Sequence, residues 1–242
     1  MKLTLELNTV YVDVTLTGIN PLLVHRFREQ DEQPKATRTQ KTKAVKDTRE
    51  EALLAANIGK DGVHYLSAFA ISNAMTTTGG NHKQRSSRKS LRYLVPSAIR
   101  IDAPDTTIPI LVKGKPAKNK DIVVDARPVV IPATKGRIMR YRPKYENWSM
   151  KFGMEVNTDL IDVDMAQQLL MEAGLQVGLG DFRPEKRGPF GTFRITQWSE
   201  VPAKSQGDGK KPRKKAPSKK TSSSRSEAAK KAAATRKKKS AA

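Results

Sequence analysis

The chain has 242 residues and no cysteine, with 46 Lys+Arg against 24 Asp+Glu and a formal net charge of +22. The missing thiols exclude a disulfide framework, a thiolate zinc site, an iron–sulfur cluster and a cysteine nucleophile. No apolar run is long enough for a transmembrane helix, and residues 1–7 alternate like a strand instead of forming a signal-peptide core. These features predict an intracellular protein with a polyanionic partner, nucleic acid first, and no membrane partner.

The charge is concentrated at one end. Residues 203–242 hold 15 Lys+Arg and 2 Asp+Glu, with no aromatic and no large aliphatic side chain. Such a segment cannot bury enough surface to offset chain entropy, so the sequence predicts a folded domain over 1–202 and a disordered basic tail over 203–242. Within the tail, Lys210, Lys211, Arg213, Lys214 and Lys215 form the densest cationic run and a candidate nucleic-acid contact.

In chain order, Val10, Val12, Val14 and Leu16 alternate with Tyr11, Asp13, Thr15 and Thr17, which predicts a half-buried strand. Leu3, Leu5 and Leu7 alternate on the opposite parity, which a bulge near Asn8 reconciles. Residues 28–50 are polar and basic and read as a mobile loop, with a short helix over 50–56. A turn at 59–62 leads to a short strand around His64. Ser67 caps a helix over 68–77, which Gly79 and Gly80 stop. Short β-like pieces broken by Pro and Lys between 99 and 131 read as an inserted β-rich arm. Residues 136–142 form a strand, 143–147 a turn, and Met150, Phe152, Met154 and Val156 mark the next strand. Asp162 or Asp164 caps a helix with the stripe Met165, Ala166, Leu169, Leu170, Ala173, ended by Gly174. In the last strand Phe193 and Ile195 face inward, and Thr192, Arg194, Thr196 and Trp198 face outward, toward an open sheet that can receive nucleic acid. The order strand, helix, strand (136–142), strand, helix, strand is β-α-β-β-α-β. It predicts a ferredoxin-like α+β domain with insertions at about 28–60 and 97–131.

Three clusters carry chemistry. The loop over 177–193 places Gly178, Gly180, Gly188 and Gly191 around Arg183, Lys186 and Arg187. It lacks a Gly-Lys-Ser/Thr ending and leads into a strand, so it is neither a Walker A loop nor a dinucleotide fingerprint. Its glycines either expose N–H groups to a phosphate chain or simply make a tight connector. The strand edge Arg137, Arg140, Tyr141, Arg142 and Lys144 interleaves cations with aromatic rings, to which Tyr145, Trp148 and Trp198 add. That pattern suits a single strand, whose phosphates meet the cations while its bases stack; the alternative is core aromatics beneath a solvated basic face. The loop over 81–92 adds Lys83, Arg85, Arg88 and Lys89.

The loop 177–193 resembles, in spacing and in place between the last helix and last strand, the Gly-rich loop of the CRISPR-associated RAMP superfamily. Gly188-Pro189-Phe190-Gly191 departs from that superfamily's simpler Gly-x-Gly. The resemblance implies a ferredoxin-like fold and protomers aligned side by side along a strand, with the loop and arm touching the neighbour or the backbone. The segments 20–27, 141–143 and 180–186 resemble a family of uncharacterised bacteriophage proteins, which implies a gene acting in a bacterial host cytoplasm.

His25, His64 and His82 match no zinc spacing, and no carboxylate cluster suits a two-metal nuclease, so no metal and no cofactor are expected. His25 follows the first strand, roughly where RAMP-class endoribonucleases carry a catalytic histidine, with Tyr65 or Lys83 as a possible second group. The sequence thus predicts a non-enzymatic nucleic-acid-binding protein that takes single strands ahead of duplex, as a monomer or as a homo-oligomer along the strand. The alternatives are a histone-like duplex-condensing protein acting through its tail, an endoribonuclease using His25, and a structural phage protein.

Overall fold

The computed structural model describes residues 8–26, 47–84, 87–130 and 135–201. Leu3, Leu5, Leu7, most of the 28–50 loop, Arg85 and the tail with Lys210, Lys211, Arg213, Lys214 and Lys215 lie outside the described residues.

The elements are β1 (Thr9–Gly18), β2 (Leu22–Leu23), α1 (Thr48–Leu54), β3 (Tyr65–Ser67), α2 (Ala68–Thr78), α3 (Val95–Ala98) and β4 (Ile99–Asp102). They continue with β5 (Thr107–Pro109), β6 (Leu111–Val112), β7 (Lys115–Pro116), β8 (Val123–Val130), β9 (Arg137–Tyr145), β10 (Trp148–Asn157), α4 (Val163–Glu172) and β11 (Phe193–Val201).

The main sheet runs β11-β1-β10, with β4 also paired to β10, and all three pairings are antiparallel. Taken as β1-α2-β4-β10-α4-β11, the chain has the β-α-β-β-α-β order with spatial order fourth, first, third, second. This is the ferredoxin-like arrangement. Its core forms where Val12, Val14 and Leu16 of β1 meet Met150, Met154 and Val156 of β10, with Ile71 and Met75 of α2 and Leu169 and Leu170 of α4 in the same cluster.

The second strand of this unit is not where the sequence placed it. Ile99–Asp102 takes that position, through pairs such as Ile99 with Val156 and Ile101 with Met154. Four residues are too few to show a period. Residues 137–145 belong instead to a separate antiparallel sheet of order β2-β9-β8. The segment read as an arm is also partly core, since Ile99, Ile108, Ile110, Ala117 and Ile122 are buried.

Local chemistry explains most boundaries. Ser67 Oγ accepts from Phe69 N at 3.3 Å and starts α2. Asp47 accepts from Arg49 N at 2.8 Å and starts α1. Asp162 stands at the N-cap of α4. Gly174 does not end that helix. The chain continues through a π turn over Ala173–Val177, and Gly174 is needed because a Cβ there would lie 2.3 Å from the Phe193 carbonyl oxygen. The predicted turn at 143–147 shrinks to Glu146-Asn147 between β9 and β10. In β11, a bulge opposite Thr15 and Leu16 reverses the parity, so Trp198 pairs with inward-facing Val14 and packs against the core. The expected outward face of that strand keeps Arg194 and Thr196, not Trp198.

Candidate nucleic-acid interface

β8 and β9 form an antiparallel ribbon in which Asp125 faces Arg142, Arg127 faces Arg140 and Val129 faces Ile138. Paired residues and their i±2 neighbours share a face, so one side of the ribbon carries Arg127, Arg140 and Arg142 together. The Gly-rich loop packs against this side. Arg142 Nη1 lies 3.2 Å from Asp181 Oδ2, and the Arg127 guanidinium lies 4.6 Å from the Phe190 ring centroid and 5.8 Å from that of Phe182. Two clusters far apart in sequence, the basic strand and the Gly-rich loop, thus adjoin.

The individual residues divide by exposure. Arg137 is exposed, while Arg140 and Tyr141 are half-buried, with Tyr141 packed on the core. Arg142 is buried and spends its charge on Asp181, so it fastens the loop and does not face solvent. Lys144 pairs with Glu146 at 2.9 Å. Lys186 and Arg187 are exposed at the tip of the loop. Arg183 donates through Nη1 to the Gly180 carbonyl at 2.9 Å and pairs with Glu185, which leaves it partly neutralised. Tyr145 and Trp148 are fully buried. Burial pushes the Tyr145 hydroxyl pKa upward, and that hydroxyl meets His64 Nδ1 at 2.6 Å. Neither ring is available for stacking on a base.

The glycines act differently from a phosphate cradle. Gly178 N donates to Ala173 O at 2.8 Å, Gly188 N to Arg183 O at 3.0 Å, and Gly191 N to Pro21 O at 2.9 Å. Those N–H groups are therefore committed. Gly180 and Gly191 have φ of +75° and +71°, and a Cβ at each would lie 2.3 Å from Leu23 O and 1.8 Å from Leu179 O. The glycines let the loop fold flat on residues 21–24 and on itself.

The 81–92 loop is tied to α4, where His82 Nε2 meets Glu172 Oε2 at 2.7 Å. Partial burial raises the Glu172 carboxyl, but hydrogen bonds from His82 and Gln168 outweigh it and hold the pKa below the ordinary value. Lys83, Arg88 and Lys89 on this loop are exposed. The open sheet face, by contrast, balances its charges. Arg100 pairs with Glu155 at 2.7 Å and Tyr11 hydrogen-bonds to Asp102. Burial, then the bond to Asp102 and nearby carboxylates, push the Tyr11 pKa up to about 12. A neutral face with one committed aromatic offers little to a phosphate chain.

His25 lines a cavity of about 430 Å³ with Asn57, Asp181 and Arg183. A second cavity of about 390 Å³ lies between α2 (Ala70, Asn73, Thr77) and the loop (Gly178, Gly180, Arg183). Neither Tyr65 nor Lys83 lines either one. Among the described residues, no three His, Asp or Glu side chains converge as a metal site, and no helix is long and apolar enough to cross a membrane.

Arg127, Phe182 and Phe190 were not foreseen as site residues. The available signal was Asp125-x-Arg127, two opposite charges on one strand face, but it lay in a segment read as an arm.

No protein-family model matches the chain, and no curated protein matches it, so the bacteriophage resemblance finds no support. Among solved structures, the chain is similar to one from the type III-B Cmr-beta complex bound to cognate target RNA, solved by cryo-EM. The TM-score is 0.46 and the identity 9%, over 80% of this chain and 61% of that one. It is also similar to Cmr6 from Pyrococcus furiosus, with a TM-score of 0.39 and 11% identity, over 78% of this chain and 99% of that one. The chain thus spans less than two thirds of the first of these. The ferredoxin-like assignment rests on the strand order itself.

Proposed function

We propose that the folded part of this chain binds nucleic acid along the β8–β9 ribbon and the Gly-rich loop, single strands ahead of duplex, with the basic tail adding salt-dependent affinity. The observation that carries this reading is the packing of the loop, with its exposed Lys186 and Arg187, on the ribbon face that bears Arg127 and Arg140. Cations on that face, with the half-buried Phe182 beside Arg127, suit phosphates with bases turned toward rings. The test uses the full-length chain with its tail Lys and Arg changed to Gln. Fluorescence anisotropy then compares labelled single-stranded DNA, single-stranded RNA and duplex. Retained single-strand binding, stronger than duplex, supports the reading; complete loss contradicts it and favours the tail-driven, histone-like alternative.

The His25 cavity favours a second reading, metal-independent cleavage of RNA. A histidine beside Arg183 can move a proton while the guanidinium meets a phosphate. Incubation of oligoribonucleotides with wild type and His25→Ala in the presence of a chelator tests it. Cleavage lost only in the variant supports this reading, and no cleavage by wild type removes it.

A further inference from the structure

We propose that Arg127 is a preorganised oxyanion clamp that takes a phosphate group of the bound strand, a role that rests on the nucleic-acid reading above. Arg127 Nε donates to Asp125 Oδ1 at 3.0 Å, and the guanidinium stacks on Phe190 at 4.6 Å from the ring centroid. These two contacts fix the plane of the guanidinium. Neither uses its terminal amino groups, which have no hydrogen-bond partner among the described residues. The side chain is 41% exposed, so that free edge reaches solvent.

A guanidinium held flat with its terminal N–H groups free is the geometry that receives two oxygens of a phosphate at once. Its ordering is already complete before the ligand arrives, which lowers the entropic cost of binding. Arg140 stands directly opposite on β9.

The charge beneath does not cancel the clamp. Asp125 is 92% buried by its 8% exposure and touches Arg127 through one oxygen; its Oδ2 has no partner. Arg142, its cross-strand neighbour, is equally covered, and its Nε is also unpartnered because the side chain reaches toward Asp181.

The experiment uses the full-length chain, Arg127→Gln and Arg127→Lys, with labelled oligo(dT) titrated by anisotropy across a salt series. Arg127→Gln is expected to weaken binding about tenfold, as for loss of a charge-assisted contact. It should also reduce the slope of log K against log salt by about 0.7, the value for one single-strand phosphate. Arg127→Lys keeps the slope but loses several-fold affinity, because an ammonium has no fork. An unchanged slope in Arg127→Gln overturns the proposal, even if the variant is less stable, since a structural role moves stability and not counterion release. If the chain with a Gln-substituted tail still binds while Arg127→Gln leaves the slope unchanged, only this inference fails. If that tail variant binds nothing, the nucleic-acid reading of the folded part fails and takes this inference with it.

Discussion

Arg142 and Asp181, separated by 39 positions in the chain, meet at 3.2 Å and hold the Gly-rich loop against β9. The Arg142 side chain is 11% exposed and that of Asp181 36%. Removing the aspartate leaves a buried guanidinium whose Nε already lacks a partner. A fully buried pair broken on one side costs about 3–5 kcal/mol, and solvent at Asp181 reduces this. Asp181→Ala is expected to cost about 1–3 kcal/mol in urea unfolding, with hydrogen exchange quickening first over residues 178–191.

The loop glycines carry a sharper prediction. Gly191→Ala would put a Cβ into the Leu179 carbonyl at a φ of +71°, so backbone must move. Gly62 has nearly the same φ, +73°, but nothing within 4 Å. Gly62→Ala should cost about 1 kcal/mol from φ alone, and Gly191→Ala should cost well above that, by about 2 kcal/mol or more. Thermal melts of the two variants check the difference.

A chain of hydrogen bonds, buried at Tyr145 and His64, runs from Tyr145 Oη through His64 to Asn119 Oδ1, with contacts of 2.6 and 2.8 Å. It links β9 to the segment before β8. Tyr145→Phe preserves the ring and orphans His64 Nδ1 at a fully buried position. The expected loss is about 1–3 kcal/mol, read from the unfolding midpoint in denaturant.

The pH dependence follows from Glu172. Its carboxyl pKa is lowered in the folded chain, the bonds from His82 and Gln168 outweighing partial burial. A lowered folded-state pKa means that the contribution is fully present above the unfolded value and is lost as pH falls through the folded one. Stability should therefore decline on acidification below the ordinary carboxylate range. Glu172→Gln should flatten that acid limb, as seen in melting temperature against pH.

Much of this was legible from residues alone. The alternation in β1 and β10, the Ser67 cap and the stripe of α4 are local patterns, and local patterns survive packing. What was not legible depended on pairing. Ile99–Asp102 is too short to show a period, and only its ladder with β10 makes it the second core strand. Trp198 turned inward because a bulge opposite Thr15 and Leu16 shifted the parity, and a single extra residue leaves no mark in composition. Arg142 looked like a surface cation because its partner, Asp181, comes from a distant loop. Arg127 became visible only when Phe190 was brought beneath it.

The most direct test of the central claim is photocrosslinking of the full-length chain to a 5-bromouracil-substituted single strand, with the linked peptides mapped by mass spectrometry. Crosslinks within residues 137–145 and 182–190 are the predicted result. Crosslinks confined to residues 202–242 would contradict the account, because the folded part would then make no contact with the strand.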